Sequence, residues 1–137
     1  MLFRSGGFSN ATAGTDYLTK ATRTVSFVLT IDALADSMNY VIGRVPAAFT
    51  ITGIYAVHAG SGLSSPSILL KVYKGTDRTS GTAVVTAGNT VTSSTTGSSI
   101  TSFDSASVSA GSWLWLTTGS KSGTTANFEV VVTGTYD

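Results

Sequence analysis

Large apolar side chains recur at every second residue through most of this chain after residue 21. Between Thr24 and Ile31, Val, Phe, Leu and Ile share one face of an extended strand, while Thr and Ser occupy the other. Similar runs follow at 38–42, 49–58, 67–74, 112–117 and 125–135, with weaker ones at 82–86 and 98–103. No segment sustains the three-and-four spacing of an amphipathic helix. The pattern predicts about eight strands and no long helix.

Gly- and Ser-rich turns separate these runs, which is typical of antiparallel strands. We therefore predict that residues 21–137 form one all-β domain, an antiparallel two-sheet sandwich with the eight strands of a jelly roll. A seven-stranded immunoglobulin-like sandwich is the alternative. In the third run, alternation puts Phe49, Ile51, Tyr55 and Val57 on one face, with a bulge or close contact expected at Gly53. The segment 31–37 is long enough for one helical turn.

Residues 1–20 lack this alternation and predict an extended N-terminal arm. Gly, Ser, Thr and Asn dominate the segment, and large apolar side chains are sparse. The candidate docking residues among them are Phe3, Phe8, Tyr17 and Leu18. A frayed terminus explains such a composition, and so does an arm that docks on a partner through these four side chains.

The low charge of the chain excludes several classes of partner. Only 11% of residues are charged, the net charge is +1, and Ser and Thr supply most of the polarity. Nucleic-acid binding is not expected, because no basic stripe exists to neutralise phosphates. No uninterrupted apolar stretch approaches membrane-spanning or signal-peptide length. With no Cys, disulfides and thiolate chemistry are also excluded.

No group of residues predicts catalysis, a metal site or a cofactor. His58 is the single histidine and has no second histidine or acidic pair nearby, so we expect an ordinary histidine at a strand edge. Asp32 and Asp36 are the closest carboxylates, and loop solvation or capping explains them better than glycoside hydrolysis. The Gly-x-Ser-x-Gly elbow of serine hydrolases is missing. We predict that the protein is not an enzyme.

The strand around Trp113 and Trp115 is apolar on both faces. Alternation puts the two Trp side chains on one face and Leu114 and Leu116 on the other. One face meets the core of a sandwich, and the sequence does not decide which. The other face requires a cover. Three covers fit: loops of the same chain, a subunit interface, or a sugar stacked on the aromatic rings.

Four segments of the chain share a recognisable pattern. An Arg-x-Pro strand end leads into an apolar strand, a second apolar strand ends at Gly, and a Trp-Leu-Trp-Leu strand precedes a Gly-rich hairpin. These segments are Tyr40–Pro46, Ile51–Val57, Ile68–Gly75 and Val108–Leu116. The pattern resembles small β-sandwich domains of tailed-bacteriophage virion proteins, which serve as capsid decoration proteins, head fibres and tail-fibre modules.

The resemblance covers residues 22–135 and implies a structural role on a virion. It implies a capsid decoration, or cement, protein that binds the major capsid protein on the outer shell as a homo-oligomer, most simply a trimer, without a cofactor. In that setting Trp113 and Trp115 are candidates for a subunit interface or the core. The competing interpretation is a receptor-binding or glycan-binding module of a tail or head fibre.

Overall fold

The computed structural model describes residues 23–137, which contain ten strands and no helix. The strands are β1 (Thr24–Ile31), β2 (Asn39–Arg44), β3 (Phe49–Ala59), β4 (Ser64–Gly75), β5 (Thr82–Ala83), β6 (Asn89–Val91), β7 (Ser98–Ile100), β8 (Ser107–Val108), β9 (Trp113–Thr124) and β10 (Asn127–Tyr136). The predicted arm, with Phe3, Phe8, Tyr17 and Leu18, lies outside the described residues.

The strands pair in a nested order. β1 pairs with β10, β2 with β9, β3 with β7 and β8, and β4 with β5 and β6, always antiparallel. The chain is therefore one long hairpin, and further pairing of β9 with β4 and of β10 with β3 rolls it into two sheets. The first sheet has the order β2-β9-β4-β5 and the second β1-β10-β3-β7, with β6 and β8 extending the last position of each.

This order confirms the predicted all-β sandwich. Because β5 with β6, and β7 with β8, each fill one edge, ten strands occupy eight positions in the nested pattern of a jelly roll. The immunoglobulin-like alternative is wrong, since its first two strands are neighbours in one sheet, whereas β1 and β2 lie in different sheets.

The core lies between the two sheets and is mainly aliphatic, with Phe49 and Phe128 as its largest fully buried side chains. Inward side chains of the central strands are fully buried, among them Phe128, Val130 and Val132 of β10. Leu114 and Leu116 of β9 face this core at 0% exposure, which decides the orientation of the doubly apolar strand: its Trp face points outward.

A bulge in β3 reverses the face that the alternation predicts for its second half. Thr133 of β10 pairs with Gly53 and the next residue pairs with Ile51, so Thr52 is an extra residue in the ladder. Phe49 and Ile51 face the core as predicted, but Tyr55 and Val57 do not. Beyond the bulge, the buried side chains of β3 are instead Ile54, Ala56 and His58.

The segment between β1 and β2 does not form the helical turn that its length allows. Its backbone groups bond to the β9–β10 end of the sandwich instead: Leu34 N–H donates to the Ala126 carbonyl at 2.9 Å, and the buried Thr118 hydroxyl donates to the Ala35 carbonyl at 2.6 Å. Hydrogen bonds that cross between elements replace those a helix would make within itself.

Candidate interaction surfaces

Trp115 lies on the outer face of the first sheet, yet only 3% of it is exposed. Its ring stacks on that of Tyr73, its partner on β4, with centroids 5.7 Å apart and planes 10° from parallel. The Arg78 guanidinium also lies over the Trp115 ring, with its central carbon 5.6 Å from the ring centroid. The residue is thus held between a neighbouring strand and a loop.

The loop 76–81 is the cover that the doubly apolar strand requires. Arg78 reaches across the sheet to donate a hydrogen bond to the Asn39 side chain, and Gly81 packs so closely on Trp115 that a Cβ there would overlap the ring. The Asp77 carboxylate accepts hydrogen bonds from Thr79 N–H at 2.8 Å and Thr79 hydroxyl at 2.7 Å, which lower the pKa of Asp77. A loop of the same chain therefore covers Trp115.

Trp113 is much more exposed than Trp115, since 36% of its surface remains accessible. It pairs with Arg44 on β2 and Gly75 on β4 at the end of the first sheet. The two tryptophans predicted as a unit thus divide: Trp115 is packed within its own chain, and Trp113 is a surface residue available to a partner.

His58 is buried in the core, so its interpretation as a strand-edge histidine is wrong. It is 0% exposed, its Nε2 lies 2.8 Å from the Val91 carbonyl oxygen, and its ring packs 4.9 Å from that of Phe128. The cause is the Thr52 bulge, which turns this part of β3 inward. His58 bonds to the backbone of β6 between the sheets, where no solvent or substrate reaches it.

An apolar row crosses the outer face of the second sheet. Val28, Val131 and Tyr55 are direct cross-strand partners on β1, β10 and β3, and Ser99 of β7 continues the row. Val28 is 54% and Tyr55 43% exposed. Around them lie hydroxyl pairs such as Ser26 with Thr133, 3.0 Å apart. We call Val28, Val131 and Tyr55 the outer row. Alternation in the sequence does not reveal this row, because the Thr52 bulge is what turns Tyr55 to the outer face.

Tyr55 borders a shallow cavity of about 140 Å³ between β10 and the segment 96–99. Its ring folds back over Gly53, where an added Cβ would lie 2.6 Å from the hydroxyl, so the glycine allows the ring to lie along the strand. The segment 96–99 is fixed from the other side, since Gly97 N–H donates to the Ser93 hydroxyl at 2.9 Å. Val57, Glu129 and Val131 also line the cavity.

The edges of β1 and β2 together form an open flank of the sandwich. Inward side chains there, Val25, Phe27 and Leu29 on β1 and Ile42 on β2, pack against the core but are only half-buried. Within residues 23–137 no strand pairs with the outer edge of either strand. At the opposite flank, the sheet edges are formed by short strands of two or three residues, β5 with β6 and β7 with β8. Such short strands offer little free edge for pairing.

A polar groove of about 280 Å³ lies between β4 and the segment 107–112. Hydroxyl groups line most of it, and Lys74 is its one cation. Partial burial lowers the pKa of Lys74, and its ammonium donates a hydrogen bond to the Ser107 carbonyl. The cation is thus engaged with backbone, and the groove presents mainly hydroxyls.

Residues 23–137 hold no cluster of three or more His, Asp or Glu side chains placed to bind a metal ion. In the same part of the chain, no helix has the length and hydropathy to cross a membrane. Asp32 and Asp36 are exposed in the turn after β1, as expected of solvated loop residues. Within residues 23–137, the apolar surfaces that remain accessible are the outer row, the open flank, Trp113, and Tyr40 and Val41 on β2.

Comparison with known protein families, curated proteins and solved structures gives no match to this chain. Function must be inferred from the fold and from the chemistry of these surfaces.

Proposed function

We propose that this protein is a structural component of a tailed-bacteriophage virion, a capsid decoration protein that binds the major capsid protein on the outer shell as a homo-oligomer and stabilises the shell. The proposal combines the resemblance of its four strand segments to such domains with the surfaces of a jelly roll. A scaffold of this kind supplies rigid sheet faces for contact.

The outer row carries the proposal. Three apolar side chains stand in register across a sheet face on which hydroxyl side chains are common, with Val57 and the charged Glu129 beside them. Apolar groups exposed in one row on a rigid face indicate a contact surface more than a catalytic one. Such a contact also tolerates changes in salt, because screening weakens ionic contacts and leaves apolar ones.

The arm adds a second means of attachment. It joins the sandwich at Arg23, directly before β1, which is the edge strand of the sheet that carries the outer row. An arm that docks must offset the entropy of ordering its residues, and the four candidate anchors Phe3, Phe8, Tyr17 and Leu18 can do so. Several arms in one oligomer then add avidity.

Co-sedimentation with purified phage particles tests the attachment. Val131→Thr and Tyr55→Ser are expected to weaken binding at least about tenfold, since contact energy concentrates in a few apolar or aromatic side chains. Val41→Thr is the matched control, because Val41 is 37% exposed on the outer face of the other sheet. Equal effects of Val131→Thr and Val41→Thr would contradict the assignment of this face.

A truncation tests the arm separately. Deleting residues 2–20 is expected to leave the sandwich folded, as far-ultraviolet circular dichroism can verify, and to weaken particle binding. If the truncated protein binds as tightly as the full chain, attachment belongs to the sandwich alone.

A receptor-binding or glycan-binding module is the second candidate, and the Tyr55 cavity favours it. A flat, exposed aromatic ring beside a carboxylate and hydroxyls can stack on a sugar and bond to it. Binding of the full chain to a host polysaccharide on a glycan array, lost in Tyr55→Ser and combined with no affinity for particles, would replace the decoration proposal.

A further inference from the structure

The polar groove between β4 and the segment 107–112 has walls that hydrogen bonds hold in place on both sides. In the loop after β4, which forms one wall, Ser80 N–H donates to the Asp77 carbonyl at 3.2 Å. In the other wall, Ser112 N–H donates to the Ser109 carbonyl at 3.1 Å, and Ser112 is buried. A ligand that enters a preformed groove spends little free energy on ordering its walls.

Hydroxyl groups form most of the lining of this groove. They belong to Thr76, Ser80, Thr82, Ser107, Ser109 and Ser112. Each hydroxyl can both donate and accept a hydrogen bond, so such a lining can pair with the hydroxyls of a sugar, which do the same. Among the described residues no carboxylate lines the groove, so nothing in it repels an anion.

Lys74 gives the groove its charge. Its ammonium donates to the Ser107 carbonyl, and because an ammonium carries three N–H donors, others are left for a ligand. Partial burial lowers the pKa of Lys74, since it disfavours the charged form. A bound anion would favour the charged form again. The ligand is therefore expected to carry a negative charge beside its hydroxyls.

The backbone of the walls favours a sugar carboxylate over a phosphate. Phosphate sites commonly use a cradle of free backbone N–H groups. In this groove the N–H groups of Ser80, Gly111 and Ser112 already donate to backbone carbonyls. The volume of about 280 Å³ also lies just below the range of about 300–1,000 Å³ of pockets for drug-sized ligands, which suits a single sugar ring.

We propose that this groove binds one acidic sugar unit of a polysaccharide, with the Lys74 ammonium donating to the sugar carboxylate and the Ser and Thr hydroxyls pairing with the ring hydroxyls. The groove shares no lining residue with the Tyr55 cavity. The inference goes beyond the proposed function and does not depend on attachment to particles.

Titration of the isotope-labelled full chain with sodium D-glucuronate tests the site through amide chemical shifts. We expect saturable shifts at Lys74, Gly75 and residues 109–112, with a dissociation constant of about 1 mM, as a few hydrogen bonds to one sugar ring would give. D-glucose has the same ring without the carboxylate. It should bind at least about tenfold more weakly, because its contact with Lys74 is no longer assisted by charge on both partners.

Two lysines of β4 provide a matched pair of variants. Lys74→Met keeps an apolar stem and removes the ammonium, so it should weaken glucuronate binding at least about tenfold. Lys71→Met removes the same charge from the outward face of the same strand, beside Thr117, and should leave binding unchanged. Thr82→Val removes one lining hydroxyl at nearly constant shape and should weaken binding about two- to tenfold. Circular dichroism verifies the fold of each variant.

Several results would overturn the assignment. One is the lack of any saturable shift with glucuronate. Equal affinity for D-glucose would show that Lys74 recognises no carboxylate, and equal affinity for acetate or inorganic phosphate would leave a simple anion site. Equal losses in Lys71→Met and Lys74→Met would indicate attraction to the overall charge. Shifts at residues 96–99 that disappear in Tyr55→Ser would place the sugar in the Tyr55 cavity instead.

Discussion

Replacing Trp115 by Ala should destabilise the fold far more than replacing Trp113 by Ala, although both lie on the same face of β9. Trp115 is 3% exposed and Trp113 36%. A Trp side chain buries up to about 250 Å², so at about 25 cal/mol per Å² the burial of Trp115 corresponds to about 6 kcal/mol. That figure is an upper bound, because alanine keeps one methyl and the covering loop can settle into the gap.

Measured aromatic-to-alanine changes in cores cost about 3–5 kcal/mol, and we expect Trp115→Ala in the lower half of that range. Loss of the stack on Tyr73 and of the Arg78 contact is included in this value. Trp113 has a smaller buried area and no ring partner among the described residues, so about half that cost is expected.

Urea unfolding followed by far-ultraviolet circular dichroism, at one fixed protein concentration, measures the difference. The variants should shift the transition midpoint with little change in its slope, so that the free energies can be compared directly. An effect of Trp113→Ala equal to or larger than that of Trp115→Ala would refute the reasoning, since it would mean that the loop 76–81 does not cover Trp115.

Three further predictions follow from local geometry. Deleting Thr52 should lower the free energy of unfolding by less than about 2 kcal/mol, because the deletion removes the bulge and leaves both halves of β3 in phase. Deleting another interior residue of β3 should instead abolish folding. Thermal melts of the two deletion variants distinguish these outcomes. The pKa of Asp77 is held low by Thr79, so its contribution to loop stability is present above the unfolded-state pKa and lost as the pH falls through the folded-state pKa. Trp115 emission should accordingly shift to the red in acid, and Asp77→Asn should remove that pH dependence; an unchanged acid response in the variant would count against the loop hydrogen bonds. His58 should carry its proton on Nε2, because the Val91 carbonyl can only accept a hydrogen bond; nitrogen chemical shifts of the imidazole that place the proton on Nδ1 would contradict this geometry.

Alternation was enough to predict the long strands, since β4 and β10 bury a side chain at every second residue, and β1 shows the same period with a half-buried inner face. It failed in β3, where the Thr52 bulge adds a residue and exchanges the faces of Tyr55 and His58. Gly53 indicated where the strand could be irregular. A single glycine does not specify, however, whether the strand bulges there or only lies close to another chain segment.

The short strands β6 and β8 were missed for a different reason. Edge segments of two or three residues rich in Thr, Ser and Asn bury too little to show a period. The cover over Trp115 was one of the alternatives that the sequence left open, because it depends on where the loop 76–81 packs. The open flank could not be predicted at all, since which strands form the edges is a property of the strand order.

The nested order also determines when this protein can fold during its synthesis. Ser26 and Thr133, bonded across β1 and β10, are 107 residues apart. At ribosomal rates of about 5–20 residues per second, the first strand waits about 5–20 seconds for its partner. Until then β1 lacks β10, the strand that pairs with it in the folded domain. Neighbouring ribosomes on one messenger meanwhile bring the identical, uncharged β1 strands of several nascent chains close together. The rate of translation through the last third of the chain is therefore expected to influence the yield of correctly folded protein.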